Sequence, residues 1–357
     1  MITFEQCTLD DVADALSFLD AGTVRDSWAV LGMAIKSEFG DLGEGVFESW
    51  SMSSDKYNKA NFKSAWRSFK QGGGITIATL FKQALDAGYK PTKKEWSADE
   101  KKKREAEYAE RRVLREKEAI AEQVKLDALQ NAISVAANTV WNNLALKGES
   151  DYLERKSIKA NGARFVNKQF MFVVDLVKNT AYVLADRAEM NAVVKLKKQD
   201  DNAISFLWLK RGSIALPMYD MQGKLWSLQF VSPSGTKLFI KCSKKSGTCF
   251  LLSTGSQIEA PAPIMLAEGF ATGASILMAT GYPVFVCWDA GNLLAMSSEI
   301  RKAYSDAKLL ICGDNDSNTK NNPGLTKSIK AAAAANCDYV VPTFDSLMSE
   351  IKEAANG

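Results

Sequence analysis

The chain has 357 residues, an apolar share of 46% and a net charge of only +3, so it can bury real cores but carries no charge bias that names a partner. It contains no histidine, which excludes Ser-His-Asp and Cys-His nucleophile pairs, H-E-x-x-H zinc sites and every imidazole base. The six cysteines are scattered from Cys7 to Cys337 with no C-x-x-C pair, so no zinc site is expected and the thiols in VFVCWD and LLICGD read as buried and reduced.

The opening MITFEQCTLDDVADAL carries acids where a signal peptide needs a basic start, and no run approaches the ~20 apolar residues of a membrane span. A soluble cytoplasmic protein with no membrane partner is expected.

Residues 1–92 read as a helical module. DDVADALSFL, VRDSWAVLGMAIKSEF, NFKSAWRSFK and ITIATLFKQALDAG each space apolar residues at helical intervals, with GDLGEG and the glycines at 72 to 74 as loops. Residues 93–148 read as a long linker helix. Its first half, from Ser97 to about Lys125 and including KKKREAEYAERRVLREKEAIAEQVK, sets Glu100 against Arg104 and Glu107 against Arg111, the pattern of a solvated face. Its second half carries an apolar stripe, Leu126, Leu129, Ile133, Ala137, Val140 and Leu144, that predicts docking on the next domain.

Residues 149–260 shift to β-branched and aromatic runs broken by Gly, Ser and Pro, an antiparallel-rich α+β unit. Lys237, Lys241, Lys244 and Lys245 cluster on its last hairpin beside Phe239 and Phe250. Two readings stand there, a lysine edge that discourages sheet aggregation or a lane for phosphates.

Residues 261–357, after Pro261, alternate strand and helix: IMLA, VFVCW, KLLICG and DYVV with FATGASILMAT, NLLAMSSEIRKAY and PGLTKSIKAAAAAN between them. Such alternation predicts a parallel, Rossmann-like sheet with right-handed crossovers. The whole is an α/β multidomain chain.

Ligands bind outside the carboxyl ends of parallel strands, and here each of the first three strands ends in acid: Glu268-Gly269, Asp289-Ala-Gly291-Asn292 and Asp314-Asn315-Asp316. Carboxylates gathered without histidine or thiol form an oxygen-only site suited to Mg²⁺ or Mn²⁺ in phosphoryl transfer. Asp289 reads equally as a ligand or as the N-cap of the next helix. For Glu268, Asp314 and Asp316 capping explains one acid at most, and three together repel without a cation.

Glu268-Gly-Phe-Ala-Thr-Gly273 on a strand-to-helix turn, followed by Asp314-Asn-Asp316, resembles the Toprim domain of topoisomerases and bacterial-type primases, and more narrowly the plasmid and satellite-phage primases whose signature is EGYATA. Phe270 stands for the tyrosine and Gly273 for the last alanine. Tyr152-Leu-Glu-Arg-Lys156, the Leu216-Pro217 to Leu228-Gln229 segment and Gly235-x-Lys237-x-x-x-Lys241 are similar to the basic subdomain that precedes Toprim in these primases. The first ninety residues resemble primase C-terminal domain type two through Trp28, Gly32-Met-Ala34, Lys36-Ser-Glu-Phe39, Trp50, Ser54-Asp-Lys-Tyr57, Trp66 and Gly72-Gly-Gly-Ile-Thr76. Its tryptophans and tyrosine read as core rather than as base-stacking platforms.

The resemblance implies a DNA primase of a phage or plasmid that joins ribonucleoside triphosphates into short RNA primers on single-stranded DNA. Glu268, Asp314 and Asp316 would be catalytic and, with Asp289, would hold Mg²⁺. Lys237, Lys241, Lys245, Arg211, Gly269 and Asn292 would face nucleotide or template. Neither a zinc module nor a Walker A sequence is present in the chain, which implies a separate helicase. Two alternatives remain open at this point: a Toprim nuclease using the same carboxylates, and a non-catalytic replication or host-interaction factor.

Overall fold

The computed structural model describes residues 7–69, 74–91, 97–200, 203–255, 263–317, 319 and 321–342, without the side chains of Lys101 and Arg104. Gly72, Gly73, Pro261 and the Glu100–Arg104 pairing therefore lie outside what is described. The chain divides into two compact units, 1–124 and 125–357. No described helix is long and apolar enough to cross a membrane.

The first unit is helical: α1 (Leu9–Leu16), α2 (Arg25–Phe39), a 3-10 turn (Gly40–Gly43), α3 (Glu44–Ser51), α4 (Lys59–Ser68), α5 (Ile77–Asp86) and the start of α6 (Ala98–Asn143). Thr8 and Asp11 cap α1 reciprocally, each side chain taking the other's backbone N–H, which satisfies two donors that a helix start leaves orphaned. Leu16, Leu31, Ile35, Phe47, Phe62, Trp66, Leu80 and Phe81 meet in one core. The predicted loop around GDLGEG holds α3, because Phe47 fills that core from a helix only two turns long.

The charged half of α6 is not a purely solvated face. Ser97 and Glu100 cap its start. Arg115 ion-pairs with buried Glu38 at 2.9 Å, and Arg111 lies 4.9 Å over the Phe39 ring while donating to the Cys7 carbonyl.

In the second unit, Leu129, Ile133, Ala137 and Val140 of α6 pack on Phe172, Leu228 and Phe230, as the apolar stripe predicts. Then follow α7 (Asp151–Arg155), β1 (Arg164–Phe165), β2 (Phe170–Asp175), β3 (Thr180–Leu184), α8 (Arg187–Gln199), β4 (Ile204–Leu209), β5 (Ile214–Tyr219), β6 (Leu225–Val231), β7 (Lys237–Phe239) and β8 (Phe250–Leu252). The last stretch gives β9 (Ile264–Ala267), α9 (Phe270–Thr280), β10 (Val284–Val286), α10 (Ala290–Ala303), β11 (Leu309–Cys312), α11 (Pro323–Ala335) and β12 (Asp338–Val340).

Three sheets result. Two are antiparallel, ordered β1-β5-β6-β7 and β3-β2-β4. The third is ordered β12-β11-β9-β10-β8, with β9 to β12 mutually parallel as the alternation predicts. Its edge departs from expectation. β8, predicted with the preceding antiparallel unit, pairs antiparallel with β10 through Phe250 opposite Val286 and Leu252 opposite Val284. One core accordingly runs through both sheets, joining Phe165, Ile214, Leu216 and Met218 to Phe250, Met265, Phe270 and Val286. That shared core fixes β7 with respect to the carboxyl ends of β9 to β11.

All six cysteines are free. Burial pushes the thiols of Cys7 and Cys249 up to about 12, so they behave as inert packing groups.

Candidate active site

Ile264–Ala267 is wholly buried and places Glu268 at the carboxyl end of the central strand, immediately before α9. Glu268 is half-buried, and among the described residues its Oε1 has no hydrogen-bond partner. Burial first, then the charges of Asp314, Asp316 and Asp289, raise its pKa to about 7, while Lys327 pulls the other way. Those charges reach it because β10 and β11 flank β9 in register, Ala267 standing opposite both Val286 and Cys312.

On β11 the D-N-D loop is laced to the start of α11. The Asn322 side chain accepts from the Asp316 and Leu325 N–H groups at 2.9 and 3.3 Å and donates to Asn315 Oδ1 at 2.7 Å; Asn315 in turn donates to the Pro342 carbonyl. Asp316 Oδ2 accepts from the Gly324 N–H at 3.0 Å. Gly313 permits the loop to lie this close, for a Cβ there would fall 1.9 Å from Ser328 Oγ. Asp314 and Asp316 are both exposed. The carboxylates thus share one sheet edge, yet among the described residues no three acidic or thiol groups converge into a ready-made cage. Like charges drawn to one point repel, and Asp316 is turned toward the α11 amides, where the helix dipole favours it.

Asp289 is the N-cap of α10, accepting from the Asn292 N–H at 2.8 Å, and it ion-pairs with Lys245. Burial raises its pKa, but the Lys245 hydrogen bond and the Asn292 amide outweigh burial and hold it below the usual range. Its backbone is aimed by an uncommon turn: Trp288 has φ 73°, and the Asp289 N–H returns to the Cys287 carbonyl at 2.9 Å.

The lysine hairpin reaches this edge. Lys237 Nζ lies 3.3 Å from where a Cβ on Gly269 would stand, so an ammonium sits against the turn that carries Glu268. Lys245 is at Asp289, with its Nζ 5.0 Å over the Phe239 ring. Lys241 is exposed on the turn after β7. Arg211 is exposed in the β4–β5 turn, where a Cβ on neighbouring Gly212 would lie 3.4 Å from Pro233 in the β6–β7 turn.

Asn292 differs from expectation. It is 5% exposed, and its side chain donates to the Thr248 and Cys287 carbonyls at 2.7 and 2.9 Å and accepts from the Gly247 N–H at 2.9 Å. Both N–H groups of this buried amide are spent on carbonyls and its oxygen already holds an N–H, so the side chain is engaged in clamping the Lys245 loop to α10. Trp288 and Thr248, for which the sequence predicts no role, belong to the same clamp, the indole N–H donating to Thr248 Oγ1 at 3.1 Å. An N-cap Asn at 322, one residue before a helix-starting proline, was the available signal for the D-N-D lacing.

The carboxylates at this edge offer oxygen, and Glu268 Oε1, buried and without a hydrogen-bond partner among the described residues, is a group that a hard divalent cation would satisfy. The residues present fit such an ion.

Residues 12–84 match the family Primase C terminal 2 (PriCT-2). The chain is also 29% identical over 197 residues, 54% of its length, to a DNA primase TraC of Escherichia coli, and 29% identical over 187 residues, 51% of its length, to a second TraC of that organism. These stretches span only 13% and 16% of the two relatives. Among solved structures, the DnaG primase catalytic domain bound to ssDNA aligns with a TM-score of 0.37 at 9% identity, over 60% of this chain and 74% of that one. The DnaG catalytic core aligns with a TM-score of 0.29 at 10% identity, over 58% and 66%. Within the PriCT-2 stretch every tryptophan spends its indole N–H internally: Trp28 on Ser51 Oγ, Trp50 on the Leu19 carbonyl and Trp66 on Asp41.

Proposed function

We propose that this chain is a DNA primase of a phage or plasmid replication system, in which a Toprim-type carboxylate edge joins ribonucleotides on single-stranded DNA. The observation that carries the reading is the meeting of two charges at one strand end. Glu268 and the Asp314/Asp316 loop stand on adjacent parallel strands, and Lys237 of the basic hairpin lies against the Gly269 turn. The stretches shared with DNA primase TraC and the PriCT-2 match support the same assignment.

In this reading Glu268, Asp314 and Asp316 hold Mg²⁺ or Mn²⁺, with Asp289 beside them. A bound ion would supply charge neutralisation on the triphosphate and orientation of the attacking hydroxyl. The chain's own residues do the rest. The α11 amides and Asn322 fix Asp316, and the Asn292 clamp holds the Lys245 loop at the edge. Lys237, Lys241, Lys245 and Arg211 offer cations to triphosphate and template backbone. A replicative helicase acting separately is the partner implied.

The test is incubation with single-stranded DNA, labelled ribonucleotides and Mg²⁺. Short RNA products are expected. DNA loss without synthesis would assign the same carboxylates to a nuclease, and neither outcome with intact single-strand binding would make the chain a non-catalytic replication factor.

A further inference from the structure

The helical unit holds a cavity of about 310 Å³, at the lower end of the ~300 to 1,000 Å³ usual for small-ligand pockets. Trp28, Tyr57 and Phe62 form its aromatic side, and Arg25, Lys56 and Asn61 are among its polar lining. The described lining residues include no carboxylate, although acids outnumber bases over residues 7–69. An acidic module has thus placed two cations, unopposed within the lining, beside one aromatic hollow.

The aromatic side is held from behind. The Trp28 indole N–H is fixed to Ser51 Oγ at 2.9 Å and the Tyr57 hydroxyl to Glu48 at 2.6 Å, while both side chains remain half-buried. Their ring centroids lie 6.0 and 6.1 Å from buried Phe62. With the polar tips tethered, the rings are preorganised and lose little freedom on receiving a planar guest. Lys56 Nζ, bonded to the Gly22 carbonyl at 2.6 Å, is likewise held at the rim, and Arg25 is exposed in the first turn of α2.

From these features we infer that the PriCT-2 stretch contains a second binding site, one that takes a nucleobase against Trp28, Tyr57 and Phe62 with its phosphate at Arg25 and Lys56. The chemistry is that of base stacking with charge-assisted phosphate contacts, common to a free nucleotide and to one unit of a single strand. It does not rest on the carboxylate edge.

The test uses the full chain in EDTA, which removes divalent cations from the carboxylate edge, and two photoprobes, 8-azido-ATP and an oligothymidylate bearing 5-iodouracil. Crosslinks are expected within residues 21–28 or 54–62. Arg25→Glu with Lys56→Glu should weaken labelling at least about tenfold in a protein that keeps its far-ultraviolet dichroism and a cooperative melt, since two charge-assisted contacts are reversed. Ser54→Trp, which fills the hollow without touching its charge, should abolish labelling. Labelling by the azidonucleotide alone identifies a free-nucleotide site; labelling by the oligonucleotide, with exclusion of the azidonucleotide, identifies a strand site. If neither probe marks these segments, or if the charge-reversed protein is marked like the wild type, the inference is overturned.

Discussion

Glu268 is held where its charge is poorly served: half-buried, facing three acidic neighbours, with one oxygen lacking any hydrogen-bond partner among the described residues. Its folded carboxyl keeps a proton up to about pH 7, whereas the unfolded chain releases it near the ordinary 4.5. The folded state therefore binds more protons across that window, so stability falls as pH rises from 4.5 to about 7 and the loss is complete above it. Mg²⁺ should accordingly raise the melting temperature more at about pH 8 than at about pH 5.5, and Glu268→Gln should remove both the pH-linked loss and the Mg²⁺ gain. Scanning fluorimetry over both variables checks this; a Mg²⁺ shift that persists in Glu268→Gln would contradict it. The lysines carry a separate expectation. Replacing Lys237 or Lys245 by Ala should reduce the slope of log affinity against log salt for single-stranded DNA by about 0.7 for each phosphate that the ammonium neutralises, in a fluorescence anisotropy titration.

The acids were legible at this scale because strand-end placement is written in the local pattern: apolar strand, acid, helix. Phe270, the departure from a tyrosine, also finds its reason, being buried in the core and stacked 6.4 Å from Phe250, where a hydroxyl would need a partner. Asn292 was not legible, since the groups that engage it, Gly247 and Thr248, lie more than forty residues earlier.

At the level of elements, two glycine and amide devices keep the site in register. Gly313→Ala sets a methyl against Ser328 Oγ and should destabilise by about 1 to 3 kcal/mol through overpacking, with Ser328→Gly restoring part of the loss in urea unfolding. Asn292→Ala leaves the buried Thr248 carbonyl and the part-buried Gly247 N–H without this partner, the Cys287 carbonyl keeping the Asp289 N–H, and should cost about 1 to 3 kcal/mol by the same measurement. An unchanged urea midpoint in either case would mean that the corresponding contact does not hold the site. Helices and parallel strands were readable from periodicity. What failed were elements whose signal is not local: α3 behind a glycine-rich turn, the largely polar α8, and β8, whose partner β10 lies across the whole β9–α9 unit.

For the whole molecule, the buried clusters divide with the two units: the helical core draws on residues up to Tyr89, and the remaining cores on residues from Leu129 onward. A fragment of residues 125–357 should therefore unfold cooperatively by itself, with sharp near-ultraviolet dichroism; a molten, non-cooperative fragment would contradict that independence. The sequence division at 260 reflects a change in pattern, from antiparallel to alternating, rather than a division of cores, because Phe165, Ile214, Phe250 and Phe270 pack in one cluster. That shared core is what brings Lys237 to the Gly269 turn.

Nucleotidyl transfer at this edge, as proposed above, is decided by ribonucleotide incorporation on single-stranded DNA with Asp314→Asn/Asp316→Asn beside the wild type. Both substitutions are on exposed side chains and conserve side-chain size, and after Asp316→Asn the amide oxygen can still accept from the Gly324 N–H. The double variant should bind template at least as tightly as the wild type, having lost two negative charges, and make at least about a hundredfold less RNA, as loss of preorganised charge stabilisation requires. RNA synthesis at the wild-type rate by that variant would contradict it.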